Sequence, residues 1–218
     1  MGSRTWFARA TTIAGKPQLS GVLIRLMMSV NDISLAADGN DRWAATTDRR
    51  RAGRKSAARI YHIRILMSHV HEALGIVEKI SDTPPLRAAV DQCDSRTQSA
   101  YQVLVRFIRS ERMITFDKLR NRATFHYDRH LPEKSLNEIA RADPSKAWFY
   151  SVGFEPIDWH FELADAVVDR MVIRDVFSLK EPRSPERQQK VEAIAAEMEN
   201  VATNFTEFAT YFVRHHMR

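Results

Sequence analysis

The sequence predicts an all-α protein, an antiparallel helical bundle of about five to seven helices. Three observations carry this. Apolar residues recur at alternating spacings of three and four along most of the 218 residues, only seven glycines occur, and no alternating strand pattern runs beyond a few positions. A hydrophobic content of 44% suffices for one core, so residues 17–218 are expected to form a single domain.

The first helix starts near Pro17, a good first-turn residue, passes through Leu19, Leu23, Leu26 and Val30, and should stop around Asp38-Gly39-Asn40. Ile60, Ile63, Met67, Val70, Leu74 and Val77 form the buried stripe of a second helix that ends before Pro84-Pro85. A third follows through Leu86, Val90, Cys93, Thr97, Ala100, Leu104 and Phe107, and should fold back on the second as a helical hairpin. A shorter helix carries Phe116, Leu119, Ala123 and His126, with Thr115 as its expected N-cap and Pro132 beyond its end. Residues 133–141 read as a short helix, residues 147–154 hint at extended chain, and Phe161, Ala164, Val168 and Met171 mark a helix over 161–177. After Pro182 and Pro185, the heptad seam Val191, Ile194, Met198, Val201, Phe205, Phe208 and Phe212 predicts a long last helix, able to pack in its own bundle or to dimerise.

The lone Cys93 cannot form an internal disulfide and reads as core filler, so nothing marks an oxidising compartment and the cytoplasm is the expected location. The longest apolar run, residues 22–30, contains Arg25 and falls short of the roughly 18 residues a membrane helix needs, so no membrane partner is expected. Residues 1–16 hold Arg4, Arg9, Lys16 and no acid, and are read as a flexible tail. Met1-Gly2 is not a myristoylation signal, because Trp6 stands where that pattern wants Ser or Thr.

The net charge of +6 is concentrated. Residues 42–64 hold eight Arg/Lys against Asp48 alone, and residues 106–129 hold seven against three acids. Arg49, Arg50, Arg51, Arg54 and Lys55 are candidate phosphate contacts for RNA, or simply a solvated face. Metal chemistry finds no pattern: His71-Glu72 lacks the second histidine of a zinc-protease helix, and no Glu has a histidine three residues on. His62, His69, His71, His215 and His216 read as ordinary helix-surface histidines, and no metal or other cofactor is expected. Phosphate loops and serine nucleophile elbows are also missing.

One constellation remains, Leu119-Arg120-Asn121-Arg122-Ala123-Thr124-Phe125-His126-Tyr127-Asp128. RNA cleavage without metal needs a base for the ribose 2′-hydroxyl and a cation for the phosphorane. A histidine titrating near neutrality and an arginine gripping two phosphate oxygens supply both. On one helix Arg120 and His126 would stand about 120° apart and about 9 Å along the axis, too far for one scissile bond. Pairing across a two-fold axis resolves this. Arg122, four residues before His126, is an auxiliary phosphate contact, and Tyr127 either stacks on a base or packs.

An Arg, a polar residue that is often Asn, and a His after a short gap resemble the signature of the HEPN superfamily (higher eukaryotes and prokaryotes nucleotide-binding). The stretch is similar to that of abortive-infection and toxin members. The resemblance implies a small helical bundle, a homodimer with its cleft at the interface, catalytic Arg120, Asn121 and His126, and an antitoxin or nucleotidyltransferase partner. The long insertion after the motif and the long last helix depart from the family pattern. The reading is thus a metal-independent toxin or defence endoribonuclease, with a non-catalytic helical module binding nucleic acid or protein as the alternative.

Overall fold

The two long apolar rows, in residues 60–77 and 191–212, each need a partner surface, and the fold is built around them. The computed structural model describes residues 9–48, 54–119, 130–154, 160–172, 174 and 185–217. Its elements are α1 (Ala10–Ala14), α2 (Ser20–Ala45), α3 (Lys55–Asp82), α4 (Pro84–Asp91), α5 (Ser95–Ile108), α6 (Met113–Leu119), α7 (Leu131–Ala142), β1 (Tyr150–Ser151), β2 (His160–Phe161), α8 (Glu162–Met171) and α9 (Pro185–His216). The all-α class stands. Nine helices are described instead of five to seven, because α1 forms within the stretch read as tail and the third expected helix is two.

Asp32 faces His69 (Oδ2 to Nδ1 3.8 Å) and Gly39 faces His62, so α2 and α3 run antiparallel. Arg109 donates to Ser81 (3.5 Å), and Asp117 meets His71, which turns α5 and α6 back along α3 as the expected hairpin. α9 lies antiparallel to α5: Arg96 near the start of α5 meets Glu207, and Arg112 beyond its end meets Glu197. The shared core takes Leu23 and Leu26 from α2, Met67, Val70, Leu74, Val77 and Ile80 from α3, Leu104 from α5, and Phe205, Phe208 and Phe212 from α9. From Met198 to Phe212 the heptad seam therefore packs within its own chain. α2 is long and apolar enough by composition to cross a membrane, the one such helix among the described residues. Here its Val22, Leu23, Leu26, Ile33 and Ala36 are buried in that core.

α7 and α8 form a smaller pair, in which Glu138 holds Arg170 (3.1 Å) and Arg174, and Arg174 also reaches the buried Ser135. The extended chain expected near residue 150 is β1, antiparallel to β2 with Tyr150 opposite Phe161 and Ser151 opposite His160.

Two of the boundaries that differ from expectation do so for a clear local reason. Asp38-Gly39-Asn40 does not stop α2, which continues to Ala45, and Asp38 braces that turn by pairing with Arg42 at 2.7 Å. Gly39 serves close approach: a Cβ there would stand 2.4 Å from Cε1 and 2.6 Å from Nδ1 of His62. The third helix breaks at Asp94, whose carboxylate accepts from the Thr97 N–H (2.8 Å) and hydroxyl (2.9 Å) and so starts α5 afresh. Cys93 and Thr97 keep the apolar rhythm across the break, which hides it from periodicity.

Replacing Gly39 by Ala trades a helix-propensity gain of about 1 kcal/mol against an overpacking cost of about 1 to 3 kcal/mol. Gly39→Ala is expected to destabilise the native chain but to stabilise a His62→Ala background. Denaturant titration of the four proteins reads the sign, and the same sign in both backgrounds would refute the contact. The Thr97 N–H, then its hydroxyl, hold the Asp94 carboxyl below the usual carboxylate range. A depressed folded pKa contributes stability above the unfolded value, near about 3.9, and this is lost as pH falls through the folded value. Asp94→Ala should melt below wild type at neutral pH, with the gap narrowing in acid. A gap independent of pH would assign the loss to packing.

Candidate functional site

The Arg120 to His126 motif starts one residue after α6, so whatever holds α6 sets where that segment begins. α6 starts at Met113, two residues ahead of the expected cap Thr115. The turn before it supplies its own partners: the Ser110 hydroxyl donates to the Phe107 carbonyl (2.6 Å), and the Ser110 carbonyl accepts from the Met113 N–H (3.2 Å). Phe116 is buried edge-on against Phe107 of α5, with ring centroids 5.1 Å apart. Asp117 Oδ1 lies 2.7 Å from Nε2 of the half-buried His71 on α3. Arg112, just before α6, is ion-paired with Glu197 of α9. α3 and α5 thus hold the described part of α6, and α9 holds the residue before it.

His71 is therefore no free surface residue. Its Nδ1 is buried without a hydrogen-bond partner among the described residues, with Glu72 Oε1 3.9 Å away. Arg120, Asn121, Arg122, His126 and Tyr127 lie within residues 120–129, outside the described residues. The chain resumes at His130, and α7 begins at Leu131 with Pro132 in its first turn.

Of the basic candidates, Arg49, Arg50 and Arg51 are also outside the described residues, while Arg54 and Lys55 open α3. Arg54 lines a cleft of about 440 Å³ between the end of α2, the start of α3 and α8, together with Trp43, Tyr61, His62, Arg64 and Asp165. Two guanidinium groups, an indole and an exposed phenol ring converge there. Asp165 is tied at 2.7 Å to the buried His160, which fixes β2 on the first turn of α8.

The expectation of surface histidines fails at His216. It is buried, 4.5 Å ring to ring from Phe212, with Nε2 3.1 Å from the Ala89 carbonyl and 3.9 Å from Cys93 Sγ. Burial lowers its pKa, which the Ala89 hydrogen bond opposes. Burial, and then the neighbouring Asp94, push the Cys93 thiol up to about 11. A signal for His216 was present in the sequence: Ala202, Ala209 and His216 are seven apart, and all three are buried along one row of α9.

Comparison of the chain with protein-family models, with curated proteins and with solved structures found no match.

The grip on α6 has a measurable consequence. Asp117→Ala and His71→Ala should each destabilise the protein by about 1 kcal/mol, the low end for a hydrogen bond to a half-exposed charged group. The double variant should lose clearly less than the sum. Additive losses in urea titration would mean that the pair does not hold α6.

Proposed function

We propose that the chain is a metal-independent endoribonuclease of the HEPN type, toxin or defence in role, acting on RNA as a cytoplasmic homodimer. One observation carries the reading: Arg120-Asn121 with His126 directly follows the described part of α6, which is anchored to α3 and α5 and preceded by a residue paired with α9. An all-helical fold with an antiparallel pair ahead of the motif in sequence supports it. In this reading His126 takes the 2′-hydroxyl proton, the 2′-oxygen attacks the adjacent phosphorus, and the 5′-oxygen leaves with a proton. A cyclic phosphate end and a 5′-hydroxyl end result. Arg120 neutralises charge on the non-bridging oxygens, Asn121 orients the reacting groups, and the partner subunit completes each cleft. Arg122 and Tyr127 contact the RNA beside the reacting phosphate, and Arg49, Arg50, Arg51, Arg54 and Lys55 bind the strand further away. An antitoxin or nucleotidyltransferase partner would restrain the enzyme.

A second reading, a non-catalytic nucleic-acid-binding module, is favoured by the cleft that joins Arg54 and Arg64 to Trp43 and Tyr61. Guanidinium groups attract phosphate and aromatic rings stack on bases.

The two readings separate in one experiment. Full-length protein with RNA and EDTA is expected to produce cyclic-phosphate ends. His126→Ala should lose about 10² to 10⁴ in rate, the usual share of a general acid–base group, and Arg120→Ala should lose comparably. Asn121→Ala should be milder. A mixed dimer of Arg120→Ala and His126→Ala chains should regain one active cleft. RNA bound but left intact by wild type, with affinity that Arg54→Ala weakens, would decide for the binding module.

A further inference from the structure

The buried end of α9 brings together the softest ligand set in the molecule. Cys93 follows α4, His215 and His216 close α9, and one ligand atom from each lies within 4.8 Å of the others. These residues stand on different elements from the one that leads into the ribonuclease motif, so a site here is independent of the ribonuclease reading.

We propose that Cys93, His215 and His216 bind a borderline-soft divalent metal ion of the zinc class, clamping the end of α9 to the junction of α4 and α5. A thiolate with two imidazoles is a donor set that selects zinc-class ions over calcium or magnesium. With a metal–sulfur distance of about 2.3 Å and metal–nitrogen distances of about 2.0 Å, tetrahedral ligand atoms stand about 3.5 Å apart. Cys93 Sγ and His216 Nε2, at 3.9 Å, are nearly there. His215 is exposed, and its ring already stands edge-on to that of His216, with centroids 4.8 Å apart.

Electrostatics favours a cation at this place. The C-terminal, negative ends of α4 and α9 converge here, and the Ala89 carbonyl already faces His216. The Asp94 carboxylate interacts with both Cys93 and His215, while His215 and then Lys16 are the positive charges felt by His216. Binding converts the Cys93 thiol to a thiolate and releases its proton to solvent, and the two imidazoles bind as neutral donors. Coordination through His216 Nε2 replaces the hydrogen bond to Ala89.

Cobalt(II) is the probe, because a thiolate ligand gives it a near-ultraviolet charge-transfer band that imidazole alone does not. Chelator-treated full-length protein titrated with Co²⁺ should develop this band at one equivalent. Zn²⁺ should displace the cobalt and raise the melting temperature by several degrees. Cys93→Ser should abolish the band. His215→Ala, a change at an exposed position that leaves the core intact, should weaken binding by at least about tenfold, a loss that even outer-shell changes commonly cause. His216→Ala should do the same, with circular dichroism confirming that helix is retained. Absence of the band in wild type, its survival in Cys93→Ser, or unchanged affinity in His215→Ala would overturn the site.

Discussion

Everything in this molecule depends on the aromatic row of α9. Phe205, Phe208 and Phe212 are wholly buried, and each contributes about 1.5 to 3 kcal/mol by leaving water. The row is shared, because α9 touches α2, α3 and α5 together and so closes a core that the first two long helices leave open. Its polar flank carries Glu197, which reaches the turn before α6, and Glu207, which reaches α5. Remove that helix, and the turn before α6 loses its ion pair while Cys93 loses its imidazole neighbour.

Most of this architecture was legible because helix burial writes a period into the chain. The rows in α3 and α9 bury nearly the residues that spacing selects, and Pro84-Pro85 divides α3 from α4 as steric exclusion requires. Periodicity failed where a local side-chain contact decided the matter. Gly39 read as punctuation because a glycine that ends a helix and one that admits a neighbour look alike in one dimension. Asp94 was invisible because its capping hydrogen bonds separate α5 from α4 without interrupting the apolar rhythm.

The candidate site divides in the same way. Arg120, Asn121 and His126 could be found because their chemistry is written within seven consecutive positions. The residues that hold α6 could not: His71 and Asp117 are 46 positions apart, and only the folded hairpin brings them into contact. Cys93 and His216 are 123 positions apart, and neither residue alone distinguishes a ligand from core filling. Adjacent histidines near the end of a helix read as surface on their residue type, although the seven-residue row Ala202, Ala209 and His216 marks the second of them as buried.

The closure of α2 by α9 also sets an order of events during synthesis. Val22, Leu23 and Leu26 leave the ribosome about 160 residues before the last helix begins to emerge. At translation rates of roughly 5 to 20 residues per second, that delay is on the order of ten seconds. Throughout it the nascent chain holds an apolar helix whose final cover has not been made, a surface that chaperones recognise and that neighbouring nascent chains can capture. Residues 120–126 are also translated before α9, so the completed core, and not the motif itself, determines when they first stand on a finished scaffold.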